Sequence, residues 1–420
     1  MADNKNKVLK SSIEQEQNEL ACSAECEKIK GSKNLNVPHL RFPEFTGEWK
    51  ETNLSSYAKK ITKKNKGNVI SNVLCNSANL GIIPQSDYFD RDIANNENTD
   101  TYYVIENGDF VYNPRKSVTA PYGPVNMYLG DKTGIISPLY LCFSVKDICC
   151  DFLLHWFKGN AWHRYVYSHG DTGVRFDRVS IKDDTFLNMP IKVPVFEEQI
   201  RISKLLRAID ERIATQNKII EDLKKLKSAI VDKLYSSAKG ETYSFRQLFE
   251  VVNEKNKKLI YSNVLSASQE LGMIERSDIN IDIKFEQNSI SEYKIVRKGD
   301  YVVHLRSFQG GFAFSNRTGI CSPAYTILQP NDLVAYGYLS HFFISKPFIK
   351  SLKLVTYGIR DGRSINVDEW LDMTVTLPTK REQSHILAII NAIDNKLHNE
   401  NQIHNYMFRQ RTYLLKTMFI

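Results

Sequence analysis

Arginines in turn-rich segments are the residues of this chain whose type and setting most resemble a chemical site. The planar guanidinium group can bond both O6 and N7 of guanine, and asparagine and glutamine amides can bond adenine similarly. Neighbouring glycines let a backbone approach a duplex closely. For each arginine taken singly, a surface salt bridge is the alternative interpretation. The predicted nucleic-acid contacts are Asn113, Arg115, Lys116, Arg175, Arg306, Gln309, Arg317, Arg360 and Arg363.

Lysines cluster in two further places along the chain. A lysine beside a phosphate supplies affinity that does not depend on base sequence and that weakens with salt. A solvated surface is the alternative interpretation of such runs. The lysines that we predict to contact phosphates are Lys60, Lys63, Lys64, Lys257 and Lys258.

No catalytic motif accompanies these residues. The sequence contains no P-loop, no glycine-rich dinucleotide motif after a strand and no metalloprotease histidine pair. Asn113-Pro114-Arg115 lacks the second proline and the aromatic residue of the loop with which amino-methyltransferases flip adenine. The seven cysteines include no C-x-x-C pair, which argues against a structural zinc site. We therefore expect no catalytic residue, metal or cofactor in this chain.

Composition excludes several classes of protein. The chain has 420 residues, 42% of them apolar and 25% charged, which excludes a wholly disordered, collagen-like or membrane-embedded protein. Its formal net charge of +8 permits a polyanionic partner without requiring one. Residues 1–36 lack the apolar stretch of a signal peptide, and no apolar run is long enough to span a bilayer. The expected compartment is the cytoplasm.

A long internal repeat is the most informative feature of the sequence. Ser71–Asp87 and Ser262–Asp278 are identical at ten of seventeen positions, at an offset of 191 residues. The correspondence continues through Gly108-Asp-Phe-Val111 and Gly299-Asp-Tyr-Val302 and extends to the end of both copies. Copies of this size are too long for a solenoid repeat. They predict two domains of one kind, which can present two similar surfaces to a target with two similar halves.

Each copy ends in a segment with the periodicity of a long helix. Pro194 followed by Glu197 and Glu198 suits a helix start, and neither proline nor glycine interrupts Phe196–Lys239 or Thr379–Ile420. Eight of ten and seven of ten helically spaced positions are apolar, in the same phase. Helices of about 40 residues are about 60 Å long, so we predict that they pair with each other. Separate packing on their own domains is the alternative. The predicted seam includes Ile209, Ile213, Leu223, Ile393 and Leu397.

These elements predict an α+β fold. Strand-length apolar runs between turn residues indicate two similar mixed α/β domains, each followed by a long helix, with the helices paired as an antiparallel coiled coil. The polar start of the chain predicts a flexible tail. The predicted boundaries are 1–36 for the tail, 37–194 and 240–378 for the two domains, and 195–239 and 379–420 for the helices.

Several segments resemble one known family. Leu40–Trp49 resembles the opening of the specificity subunits of type I restriction–modification systems, and Pro194–Asp210 is similar to the start of their central helix. Gly170–Arg175 and Gly358–Arg363 are similar to the turns that end their target-recognition domains. The second copy departs from the first, because it opens at Tyr243 without the Phe-Pro-Glu-Phe segment. The resemblance covers about residues 38–420 and includes the two-copy layout.

The resemblance implies a DNA-reading subunit that catalyses nothing itself. Its two target-recognition domains would read the halves of a bipartite, asymmetric site in double-stranded DNA, and the helix pair would hold them at a fixed separation. Two modification (methyltransferase) subunits with S-adenosylmethionine and two restriction subunits with ATP and Mg²⁺ would dock on it. Two other function classes stay open: a nucleic-acid enzyme with an unrecognised site, and a coiled-coil interaction protein.

Overall fold

The structure of the protein is a computed structural model that describes residues 36–87, 99–171, 177–268, 271–276, 287–304, 311–357 and 364–420. The chain divides into two compact units. The first unit consists of Met1–Ala214 with Tyr406–Ile420, and the second of Thr215–Asn405. Each unit therefore combines one copy of the repeat with parts of both long helices.

The first unit is built on short strands. In chain order these are β1 Lys50–Asn53, β2 Ala58–Lys60, β3 Val73–Ser77, β4 Gly81–Pro84, β5 Tyr103–Ile105, β6 Phe110–Tyr112, β7 Val125–Met127, β8 Gly134–Ile136, β9 Leu141–Val145 and β10 Pro190–Val193. They form two four-stranded sheets, β2-β9-β6-β7 and β4-β3-β8-β5, and the pair β1-β10. The helices are α1 Cys150–Lys158, α2 His163–His169, α3 Asp183–Leu187 and the long α4 Phe196–Ser236.

The second unit repeats this arrangement. Its strands are β11 Glu241–Ser244, β12 Phe249–Val252, β13 Leu265–Ser268, β14 Gly272–Glu275, β15 Lys294–Val296, β16 Tyr301–Val303, β17 Phe312–Phe314, β18 Gly319–Cys321, β19 Thr326–Pro330, β20 Thr356–Tyr357, β21 Ser364–Ile365 and β22 Thr374–Leu377. The sheet β12-β19-β16-β17 matches β2-β9-β6-β7 strand for strand, and β11-β22 matches β1-β10. The helices are α5 Phe245–Leu248, α6 Tyr338–Phe342, α7 Lys346–Ser351, α8 Val367–Asp372 and the long α9 Lys380–Thr417.

The strongest stretch of the sequence repeat is a hairpin in both units. Strand β3 pairs antiparallel with β4, and β13 pairs antiparallel with β14. The turns end at Gly81, with a φ of 76°, and Gly272, with a φ of 71°. Glycine adopts this left-handed conformation without steric cost. The Leu-Gly pair repeated in the sequence therefore has a conformational cause.

Both hydrophobic cores receive residues from both long helices. The core of the first unit contains Ile202 from the start of α4, Leu414 from the end of α9 and Met418 just after that helix. The core of the second unit contains Ile386 from the start of α9 and Val231 from the end of α4. Each helix thus begins in the core of the domain that precedes it in the chain.

The two long helices are antiparallel neighbours. Within the first unit, the guanidinium of Arg411 is paired with the Asp210 carboxylate. Within the second unit, Lys227 is paired with Asp394, and Gln216 Nε2 donates to the Glu400 main-chain oxygen at 3.1 Å. In these contacts, residue numbers that increase along α4 are paired with residue numbers that decrease along α9, so the helices run in opposite directions. The predicted α+β fold with an antiparallel helix pair is confirmed.

One buried glutamine joins each domain to its helix. In the first unit, Gln199 Oε1 accepts from the Cys149 amide and its Nε2 donates to the Pro194 carbonyl, both at 2.9 Å. In the second, Gln383 Oε1 accepts from the Ala335 amide at 2.7 Å. Because buried backbone groups must be paired, these glutamines fix the start of each helix on the preceding domain.

Candidate nucleic-acid interface

The hairpin between β6 and β7 carries the first group of predicted DNA contacts. Its base is closed by a hydrogen bond from the Asn113 amide to the Pro124 carbonyl at 3.0 Å. The Asn113 side chain donates to the Asn76 carbonyl at 3.2 Å and accepts from the Arg115 amide at 3.0 Å. Asn113 therefore shapes the loop in this structure, and its adenine contact stays a prediction. The side chain of Arg115 is 68% exposed.

A second loop is paired with the first. The Lys116 amide donates to the Asp177 carbonyl at 2.8 Å, and the Val179 amide donates to the Pro114 carbonyl at 2.9 Å. Asp171 and Ser180 exchange two main-chain hydrogen bonds, so they close the loop that lies between them in sequence. Arg175 itself lies outside the described residues. The structure nevertheless brings the bases of two loops together that are about 60 residues apart in sequence.

The second unit has corresponding loops. Tyr357 pairs with Ser364 across β20 and β21, as Asp171 pairs with Ser180 in the first unit. The His304 amide donates to the Gly311 carbonyl at 2.7 Å, which closes the hairpin between β16 and β17. In sequence, these two loops contain three of the predicted arginines and the glutamine. Arg306, Gln309, Arg360 and Arg363 lie outside the described residues.

Arg178 is a basic residue near the paired loops that the sequence reasoning did not single out. Its main chain forms an antiparallel bridge with Arg115. Among the described residues its buried Nε has no hydrogen-bond partner. Burial raises the pKa of the Tyr140 hydroxyl, and the charges of Arg178 and Arg115 partly offset that rise. The signal in the sequence was its position three residues after Arg175, in the same loop.

Arg317 is half-exposed and has polar partners within the second unit. Its Nη1 lies 3.4 Å from Glu275 Oε1, and its Nε donates to Asn316 Oδ1 at 3.3 Å. It lies in the connection between β17 and β18 and contacts β14 through Glu275. A surface pairing of this kind is weak, so Arg317 can exchange it for a nucleic-acid contact.

The lysines that we predict to contact phosphates differ in whether their ammonium groups lie near a carboxylate of the protein. Lys60 Nζ lies 2.6 Å from Asp183, and that hydrogen bond raises the pKa of Lys60 against the opposing effect of burial. Lys63 Nζ lies 3.9 Å from Glu106, and both side chains are largely exposed. Lys64, Lys257 and Lys258 are exposed. The contact of these lysines with phosphates stays a prediction. The part that the seam residues play in pairing the two long helices also stays a prediction, and these residues are half-buried: Ile209, Ile213, Leu223, Ile393 and Leu397.

Two further surveys bear on the type of protein. Within the described ranges, no three histidine, cysteine, aspartate or glutamate side chains come together as metal ligands would. Among the helices that the structure describes, none combines the length and the apolar character needed to cross a bilayer.

Comparison with known proteins finds a family match over the first copy and most of the first long helix. Residues 46–225 match the family described as "Type I restriction modification DNA specificity domain". The type I restriction enzyme MjaVIII specificity subunit of Methanocaldococcus jannaschii is 26% identical over 297 residues, which cover 64% of this chain and 66% of that relative. The chain is therefore similar to the specificity subunits of type I restriction–modification systems. The match to the curated relative spans just under two thirds of its length.

Solved structures from type I restriction–modification systems share the fold. One, from work on complex assembly and conformational transition of the type I R-M system, has a TM-score of 0.57 and covers 91% of this chain and 99% of its own. The type I specificity subunit from M. genitalium has a TM-score of 0.50 with the same coverage. Both are 14% identical to this chain, so they show its fold and not its base contacts.

Proposed function

We propose that this chain is the DNA sequence-recognition subunit of a type I restriction–modification complex and reads a bipartite, asymmetric site in double-stranded DNA. The observation that carries the proposal is that main-chain hydrogen bonds close two loops in each copy. The sequences of these loops contain predicted arginines. The loops differ between copies: Asn113-Pro-Arg115 stands where the other has His304-Leu-Arg306. Two equivalent frames with different loop residues suit a target whose halves have different sequences.

The chemistry of the loops supports base reading, and that of the lysines supports phosphate contact. Arginine presents a rigid fork that matches the acceptor pair of guanine. Lysine is a compact point charge on a flexible stem, and contacts of this kind position a protein on DNA without reading it. The division of labour between Arg115 and Lys64 in the first unit is proposed on this basis.

We further propose that the chain itself catalyses no reaction and holds no cofactor. Two modification subunits would use S-adenosylmethionine, and two restriction subunits would use ATP with Mg²⁺, in a cytoplasmic complex. The similarity to type I specificity subunits supports this assignment. The recognition subunit would then contribute only the choice of DNA site.

A map of methylated bases tests the proposed function. The chain is expressed with its modification subunit in a host without DNA methylation, and N6-methyladenine is located by long-read sequencing. We expect one split motif with two short defined halves and an unspecified gap of constant length. If a complex that demonstrably assembles leaves no methylated motif, the chain does not specify a methylation site. Methyl transfer by the purified chain alone would instead identify it as an enzyme.

Single arginines should control one half of the site each. We expect Arg363→Ala to cost roughly 1–3 kcal/mol in binding and to relax only the second half-site, because a bidentate base contact is lost. Arg115→Ala should act in the same way on the first half-site. Competition binding with DNA altered in either half measures both effects. The control, Lys64→Ala, should weaken all sequences alike and lower the salt slope by about 1. A uniform loss for Arg363→Ala would make it a phosphate contact.

A further inference from the structure

An N-terminal segment covers the end of the helix pair in the first unit. Nε and Nη2 of Arg41 donate to the two carboxylate oxygens of Glu198, each at 2.7 Å. The ring of Phe42 packs against the core of the unit, and the guanidinium of Arg201 lies 5.5 Å from its centroid. Arg201 also pairs with Glu44 at 3.7 Å. The segment is therefore held by an arginine, an aromatic ring and an acidic residue in succession.

The second unit has an open groove at the equivalent place. Its cavity of about 410 Å³ lies between the end of α4 and the start of α9. At the repeat offset of 184 residues, Glu382 corresponds to Glu198 and His385 to Arg201. The apolar floor of the groove includes Leu234, which corresponds to Met418, and Ile386, which corresponds to Ile202.

The N-terminal segment buries residues of the first unit whose counterparts in the second unit are more exposed. Met418 is 2% exposed and Glu198 is fully buried, whereas Leu234 is half-buried and Glu382 is exposed. The counterparts in the second unit are uncovered because the connection that precedes β11 is short. Only residues 237–240 join α4 to β11, so the second copy has no counterpart of Leu40–Pro43.

We propose that this groove of the second unit binds an extended segment of a partner protein that carries an arginine, an adjacent aromatic residue and an acidic residue shortly after them. The arginine would pair with Glu382, the ring would lie on Leu234 and Ile386, and the acidic residue would face His385 and Lys233, which also line the groove. The partner is defined by this chemistry alone, so the inference does not depend on the function proposed above.

The carboxylate of Glu382 is available for such a contact. Its Oε2 accepts from the Thr379 amide at 3.0 Å and from the Thr379 hydroxyl at 2.7 Å. These hydrogen bonds lower the pKa of Glu382, so the group is ionised at neutral pH. A carboxylate has about four acceptor positions, so a guanidinium can bind without breaking the helix cap.

Peptide binding to the full chain tests the proposal. The probe is a fluorescent synthetic peptide with the sequence Val37–Thr46 of this protein, and anisotropy measures its affinity. We expect saturable binding at one site per chain, weakened about tenfold when the peptide arginine is replaced by alanine, because a charge-assisted hydrogen bond is lost. Glu382→Gln, which keeps the capping geometry, should weaken binding by a similar factor.

Three further variants locate the bound peptide. Ser237→Trp should abolish binding, because Ser237 lines the groove and the indole would fill it. Glu221→Gln, an exposed carboxylate of α4 away from the groove, should leave the affinity unchanged. No binding at millimolar peptide, or equal binding of the alanine peptide, would overturn the proposal. So would binding that survives Glu382→Gln but is lost in Glu198→Gln, since the peptide would then occupy the first unit.

Discussion

Replacing Glu198 by alanine should lower the free energy of unfolding of the first unit by about 3–5 kcal/mol. The side chain of Glu198 is fully buried, and that of its partner Arg41 is only 13% exposed. Trp49 Nε1 also donates to Glu198 Oε1, at 3.3 Å. Removing the carboxylate leaves a nearly buried guanidinium without its counter-charge, which costs far more than the loss of a surface ion pair.

The repeat offers a matched control for this change. Glu382→Ala alters the same position of the other copy, where the carboxylate is exposed and caps α9, and should destabilise the protein much less because only that cap is lost. Urea unfolding followed by tryptophan fluorescence reports mainly on the first unit, because three of the four tryptophans, Trp49, Trp156 and Trp162, lie there. Equal losses in the free energy of unfolding for Glu198→Ala and Glu382→Ala would show that the burial of the Arg41–Glu198 pair does not determine the cost. A joint replacement of Arg41 and Glu198 by apolar residues should recover most of the loss, since neither charge is left unpaired.

The replacement Asp210→Asn should destabilise the first unit by about 2 kcal/mol at pH 5. Asp210 is paired with Arg411 and lies 3.4 Å from His155 Nε2. Burial alone would raise its pKa. The contact with His155 and the hydrogen bond from Arg411, with the charges of Arg411 and Lys158, outweigh burial and lower the pKa of Asp210 to about 2.

The pH dependence of this effect follows from the lowered pKa. A carboxylate whose pKa falls from 3.8 to about 2 on folding stabilises the folded state fully above pH 3.8. That stabilisation is lost as the pH falls through about 2. The difference between wild type and Asp210→Asn should therefore narrow between pH 4 and pH 2 in urea unfolding series. A difference that stays constant down to low pH would contradict the ionic role.

Asp222→Asn is the control for Asp210→Asn. Its carboxylate is 61% exposed and lies 3.9 Å from Lys225 on the same helix. We expect a change within about 0.5 kcal/mol at every pH, because exposed pairs of this kind contribute little.

Much of the architecture could be predicted from the sequence because it depends on local patterns. The repeat predicted two equivalent domains. The sequence identity between the copies is strongest in the hairpins whose turns end at Gly81 and Gly272. Uninterrupted apolar periodicity predicted helices over Phe196–Lys239 and Thr379–Ile420, and the structure has them at Phe196–Ser236 and Lys380–Thr417. Helix periodicity and glycine requirements act among neighbours in the chain, so they can be read without the fold.

Only the tertiary structure decided which residues of these patterns meet. Glu198 and Glu382 occupy the same place in the same motif, yet one is buried against Arg41, 157 residues away, and the other is exposed. The loops that carry Arg115 and Arg175 are neighbours because of a main-chain pairing with Asp177. The sequence by itself determined the duplication, the elements and the residue types available for reading DNA. Burial and long-range pairing decided their environments, because these depend on residues that no local pattern brings together.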